Sequence, residues 1–174
     1  MRAIFTVSMA LVAASAFAQQ VTSETIPGVT NFKRLETTIA CAGATTAQGV
    51  PELKKMGYAS IINLRLANEN GANIEEEEAA AKQAGIRFVH IPMNGQSPDP
   101  ATADKFLDAI TAKENQPAFV HCASGNRAAS MWMIKRLVVD HWDADRAGTE
   151  AAALGLTNAG LKKFAVDYAE THKR

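Results

Sequence analysis

Pro117-Ala118-Phe119-Val120-His121-Cys122-Ala123-Ser124-Gly125-Asn126-Arg127 is the stretch whose reading decides the fold. Pro117 to Val120 is an apolar run that reads as a buried strand, and Ala128 to Val139 carries an apolar pattern that reads as a helix. Between them, His121 to Arg127 set a thiol, a glycine and a guanidinium at a strand-to-helix turn.

That position has a chemical consequence. The unpaired N–H groups of a helix's first turn and its dipole favour negative charge placed there. A free thiol titrates near about 8.5, and one at a helix N-terminus beside an arginine can fall to roughly 3.5–7.5. Cys122 is therefore expected to be a nucleophile. Gly125 lets the loop curl with positive φ, so that the amides of Ala123, Ser124, Gly125 and Asn126 turn inward as an anion nest. Arg127 can add a bidentate fork to two oxygens of a phosphate or sulfate. The plainer alternative, a buried structural cysteine, fits less well, because inert cysteines rarely precede an electropositive glycine-bearing turn. His121 ends the strand and points to its other face, which argues against a general base there.

Outward from this turn, strands and helices alternate. Thr37 to Ala42 reads as a strand, and Thr45 or Thr46 offers an N-cap for a short helix over Gln48 to Met56, stopped by Gly57. Ser60 to Leu64 is a buried strand, Arg65 to Asn73 a polar loop and Ile74 to Ala84 a helix closed by Gly85. Glu75 to Glu78 suit the first turn of that helix and are expected to be a solvated cap, not a metal site. Arg87 to Ile91 is the next strand, Pro92 to Pro100 a loop, and Ala101 to Lys113 a helix with Phe106, Leu107 and Ile110 inward. Past the reactive turn come helices to about Val139, from Asp143 to Leu154 and from Asn158 to Thr171. The pattern predicts an α/β fold, a single domain with a mainly parallel central sheet of about four to five strands flanked by helices. Ligands of such sheets bind beyond the carboxyl ends of the strands, where Cys122, Arg65 and the Pro92 to Pro100 loop would emerge.

The 174 residues suffice for one substantial core. Residues 1–18 combine basic Arg2, an apolar run from Ala3 to Ala13 and a small-x-small end at Ala16-Phe17-Ala18, which reads as a secretory signal cleaved before Gln19. The run is too short for a membrane span. Secretion, or a periplasmic location in a bacterium, is the expectation. Arg2 is the only charged residue of that segment, so its removal leaves the balanced chain one charge negative, with no global field to recruit nucleic acid. Residues 19–34, with Pro27-Gly28, are expected as an arm lying on the surface.

Cys41 and Cys122 are the only cysteines, and an oxidising compartment invites them to pair. Cys41 is a candidate redox partner that could resolve an oxidised Cys122, though a buried residue in a strand is the commoner fate of such a cysteine. His90 and His141 have no metal-ligand spacing.

His121-Cys122, two residues, Gly125 and then Arg127 resemble the signature of the cysteine-dependent phosphatases, the protein-tyrosine and dual-specificity superfamily. Ile61-Ile62-Asn63-Leu64-Arg65 resembles a strand end of the dual-specificity branch, and Val89-His90-Ile91-Pro92 the strand entering its general-acid loop. The resemblance runs from about Leu35 to the C-terminus. It is closest to the bacterial beta-lactamase-hydrolase-like phosphatases, in which the arginine also comes one residue early. Here four residues separate Cys122 from Arg127, and Ala128 holds the commoner arginine position.

The resemblance implies a dual-specificity-phosphatase-like domain acting on a phosphorylated protein or small molecule, phosphotyrosine among the candidates, with no metal or cofactor. Cys122 would attack phosphorus, while Arg127 and the amides of Ala123 to Asn126 hold the oxygens. Arg65 would support substrate or loop, and His121 would orient the loop. The family's general acid is an aspartate after the His-Ile-Pro strand. Met93, Asn94 and Gly95 stand there, so Asp99 is the nearest candidate and Asp104 the next. Two alternatives stay open. A Cys-x-x-Gly-x-Arg loop also suits a rhodanese-like sulfurtransferase with a Cys122 persulfide, and a chain without its acid would be a catalytically weak phosphate-binding module.

Overall fold

A computed structural model describes residues 20–36 and 38–172. Six strands form one sheet: β1 (Val21–Ser23), β2 (Lys33–Leu35), β3 (Ile39–Ala42), β4 (Ser60–Asn63), β5 (Arg87–His90) and β6 (Ala118–His121), in the order β1-β2-β3-β6-β4-β5. The helices are α1 (Val50–Lys55), α2 (Ile74–Ala84), α3 (Pro100–Thr111), α4 (Asn126–Val138), α5 (Ala144–Ala153) and α6 (Ala159–Thr171).

β3 to β6 are mutually parallel, whereas β1 and β2 extend the sheet antiparallel through Val21 opposite Leu35 and Lys33 opposite Cys41. The sheet is thus mixed, with one strand more than the upper expectation. The stretch expected as a surface arm supplies β1 and β2, and it buries Ile26, Val29 and Phe32. Strands of three residues are too short for a period-2 signal, so nothing in the pattern announced them. The candidate secretory signal, residues 1–18, lies outside the described residues.

The two sheet faces have different covers. Ile39, Cys41, Ile62, Leu64, Val120 and Cys122 face the larger core, built with α3, α4, α5 and α6. Ala40, Ala42, Ile61 and Phe119 face a smaller one with α1 and α2. β6 is buried along its whole length between β3 and β4, which explains its unbroken apolar sequence. Helix α4, fed directly by β6, is buried almost all round. Its neighbours are started by side-chain caps: Asp99, Asp143 and Asn158 accept from the amides of Ala101, Arg146 and Leu161. The expected cap at Thr46 is not made. A 3₁₀ turn over Ala47–Gly49 intervenes, and α1 begins at Val50 with Pro51 in its first turn.

Phe32 joins β2 to the small core by stacking on Phe119 at a centroid distance of 6.2 Å, with Tyr58 edge-on to both. Phe32→Ala is expected to destabilise the fold by about 3–5 kcal/mol, the cost of a truncated core aromatic, measured by urea denaturation.

Candidate active site

The carboxyl ends of β3, β4, β5 and β6 converge on one rim. Cys122 follows β6 directly, its amide donating to Ala42 O at 3.2 Å, and only 1% of its surface is exposed. The chain then turns through Gly125, whose φ of +100° is closed to most side chains, and enters α4. That turn brings the Gly125 amide to 3.1 Å from Cys122 Sγ, to which it donates a hydrogen bond. Among the described residues, none accepts from the amides of Ala123 or Ser124, which leaves both for an incoming oxyanion.

The loop is braced from two sides. Ala44 donates to Ala123 O at 3.0 Å and Asn31 Nδ2 to Ser124 O at 3.2 Å, so the β2–β3 end of the sheet buttresses the turn. On the other side, Asn126 Oδ1 accepts from the amides of Thr157 and Asn158 at 2.7 and 2.8 Å and ties the loop to the start of α6.

Arg127 lies in the first turn of α4, five residues on from Cys122. One terminal nitrogen donates to Leu64 O, Met93 O and Glu69 Oε1 at 3.0, 2.7 and 2.6 Å, and the other to Glu69 Oε2 at 2.8 Å. A single guanidinium thereby joins the segments after β4, β5 and β6. Burial works to lower its pKa, but the hydrogen bonds to Glu69 and the charges of Cys122 and Glu69 outweigh that and raise it. Burial would likewise raise the Glu69 carboxyl. Hydrogen bonds from Arg127 and the Leu66 amide, the Arg127 charge and a bond from Arg65 hold it instead at about 2.

Glu69 is the site residue that the sequence reading missed. It was one acid in a polar loop, and the only cue was its place just beyond the end of β4. Arg65, expected to support substrate or loop, is turned to the segment that carries Glu69. Its nitrogens donate to Gly71 O at 2.7 Å, Asn70 O at 2.6 Å and Glu69 Oε2 at 3.3 Å, and it is 3% exposed. Arg65 thus shapes the segment that presents Glu69.

Asp99, expected as the general acid, is an exposed N-cap whose carboxylate accepts from Ala101 N at 2.9 Å. It does not line the cleft. Asp104 accepts from Tyr168 Oη at 2.7 Å, toward α6. The cleft, about 390 Å³, is walled by Glu69 and Arg127 and rimmed by Leu66, Asn94, Gln96, Ser124, Asn158 and Leu161. Larger hollows, of about 530, 460 and 500 Å³, lie elsewhere: the first two share Trp142 in their walls and the third is lined by Glu78, Lys82 and Gly85 to Phe88.

Beneath the loop, His121 is fully buried on the face opposite Cys122 and stacks on Phe119. Its Nε2 lies 2.9 Å from Glu77 Oε1, close enough for an ion pair but out of line for a hydrogen bond. Glu77 Oε2 accepts from Asn63 Nδ2 at 2.8 Å, and Asn63 Oδ1 accepts from Arg65 N at 2.8 Å. Glu77 therefore departs from the solvated cap expected for residues 75–78: it is 1% exposed and belongs to a polar chain under the β4 and β6 ends. His90, at the end of β5, meets Arg65 O through Nε2 at 2.8 Å.

Cys41 sits in register with Val120, on the sheet face of Cys122, and both thiols are free. Burial, and secondarily the charge of Cys122, push the Cys41 thiol far above its ordinary range, so it is a protonated core thiol.

A family model described as "DSP-PTPase phosphatase fused to NAD+ Kinase" matches residues 12–165. A beta-lactamase hydrolase-like protein of Xylella fastidiosa is 32% identical over 119 residues, which is 67% of this chain and 26% of that protein. The chain thus spans about a quarter of the length of the curated relatives it matches. Among solved structures, P. aeruginosa TpbA superposes with a TM-score of 0.65 at 22% identity, covering 88% of this chain and 90% of TpbA. TpbA has also been solved, in a cysteine-to-serine form, in complex with pTyr, with a TM-score of 0.59 at 21% identity and coverage of 87% and 88%. The core catalytic domain of the PP-IP phosphatase SIW14 from S. cerevisiae, in complex with citrate, superposes with a TM-score of 0.66 at 18% identity, covering 82% of this chain and 87% of that one.

The Arg127–Glu69 pair has a pH signature. A carboxyl held at about 2 adds stability that is fully present above the ordinary carboxylate range and is lost as pH falls toward 2. Glu69→Gln is expected to cost about 1–3 kcal/mol at pH 7. The gap to wild type should narrow in denaturation curves taken near pH 3.

Proposed function

The chain belongs to the dual-specificity and protein-tyrosine phosphatase family whose model matches residues 12–165, and from that premise we propose that it hydrolyses phosphomonoesters through a phosphocysteine on Cys122. The observation that carries the reading is the placement of one thiol against the Gly125 amide at 3.1 Å, at the start of the loop whose Ser124, Asn126 and Arg127 line the cleft.

Cys122 Sγ attacks phosphorus as the ester P–O bond breaks and the leaving oxygen departs with the electron pair. The amides of Ala123 and Ser124 and the N–H groups of Arg127 not engaged by Glu69, Leu64 or Met93 bind the phosphoryl oxygens as charge spreads over them. Water then attacks the phosphocysteine, phosphate leaves and the thiolate is restored. His121, below the loop, supports this geometry through Glu77 and Asn63. Phosphotyrosine in protein or peptide is a candidate substrate, a reading supported by the pTyr complex of TpbA. Residues 1–18 support export with cleavage after Ala18, which the N-terminal sequence of the protein from a periplasmic or secreted fraction tests.

The six-residue span from Cys122 to Arg127 favours one rival, persulfide transfer of the rhodanese kind. The reduced protein should release phosphate from para-nitrophenyl phosphate, and Cys122→Ser should abolish that release. Thiocyanate from thiosulfate and cyanide, without phosphate release, would move the chain to sulfur transfer. Neither product would leave a phosphate-binding module.

A further inference from the structure

Every aspartate and glutamate of the chain lies within the described residues, so each side-chain carboxyl that could protonate a leaving oxygen has a known place. Glu69 is the only one that lines the cleft, and its two oxygens are bound by Arg127. A carboxyl held at about 2 carries no proton to give at neutral pH. Asp99 caps α3 and Asp104 holds Tyr168. His121 lies on the opposite sheet face, and His90 is bonded to Arg65 O and does not line the cleft.

Carboxamides stand where an acid would be. The Asn94–Gly95 segment lies over Arg127, so close that a Cβ on Gly95 would be 3.3 Å from Arg127 Cδ. Asn94 Oδ1 accepts from Gln96 N at 2.9 Å, and this fixed oxygen leaves its NH₂ group as the free end. Gln96 lines the same wall. An amide NH₂ donates a hydrogen bond but does not surrender a proton.

We propose that the departing oxygen meets the carboxamides of Asn94 and Gln96, which stabilise it without protonating it, so that the substrates are phosphate esters of acidic leaving groups, above all aryl phosphates. The inference rests on the phosphatase reading above. As the S–P bond forms, the P–O bond breaks and its electron pair stays on the leaving oxygen, which departs as an anion and takes its proton from water. A phenol, with a pKa of about 10, tolerates this. An alkyl alcohol is comparable to water, at about 15.7, and does not.

The test is kcat/KM for a series of aryl phosphates of graded leaving-group pKa, together with phosphotyrosine and phosphoserine peptides, with Cys122→Ser as the blank. The expected result is a steep fall with rising leaving-group pKa, and phosphoserine at least about 10²-fold below phosphotyrosine, the lower value of a general acid. Asn94→Asp should raise turnover of the least acidic esters by about tenfold or more, and that gain should fade as pH rises through the new carboxyl's pKa. A flat dependence on leaving-group pKa, or phosphoserine turnover equal to that of phosphotyrosine, overturns the inference and leaves the phosphatase reading standing. Absence of Cys122-dependent phosphate release from every ester overturns both.

Discussion

The bidentate pair between Arg127 and Glu69 is the constraint on which the cleft depends. Strand ends in a parallel sheet are independent loops, and each would otherwise be free to choose its own path. Here one guanidinium binds the Leu64 and Met93 carbonyls and the Glu69 carboxylate while anchored in the first turn of α4. Three loops thus share one rigid, planar donor. The pair is largely screened from water, so its two charges act in a medium where they hold each other firmly. Its geometry also leaves Arg127 with only part of its donor set for an incoming anion.

A second polar layer lies under the first. His121, Glu77, Asn63 and the Arg65 amide form a chain between β6, α2 and β4, closed from solvent by Phe119, Tyr58 and Phe32. Such buried groups are costly unless paired, and their pairing fixes how the ends of β4 and β6 sit relative to each other. The positions of Cys122 and of the Glu69 loop follow from that register. The same dependence extends to Asn31 and Ala44, whose bonds to the loop make the antiparallel β1–β2 extension part of the site's support.

The legible part of the site was local. Cys122, Gly125 and Arg127 could be read because strand, turn and helix follow one another within the quoted stretch, and their chemistry depends on that adjacency alone. The helix Ile74–Ala84 was equally legible, with its acidic first turn and glycine stop. What could not be read depends on contacts between distant segments. Glu69 meets Arg127 across 58 positions, and Asn31 meets Ser124 across 93. Glu77 looked like its solvated neighbours because burial of one residue in a run of four identical ones leaves no mark on composition. Asp99 misled for a related reason: an aspartate before Pro100 is as good a helix cap as it is an acid, and only the loop's path decides between the two.

The central claim is that Cys122 becomes covalently phosphorylated. Rapid acid quench of the reduced protein during turnover of an aryl phosphate, followed by peptide mass spectrometry, tests it most directly. The account predicts a phosphoryl group on the peptide containing Cys122, formed within the first turnover and absent from Cys122→Ser. Phosphate release with no modification of that cysteine, or an added sulfur in place of the phosphoryl group, would contradict it.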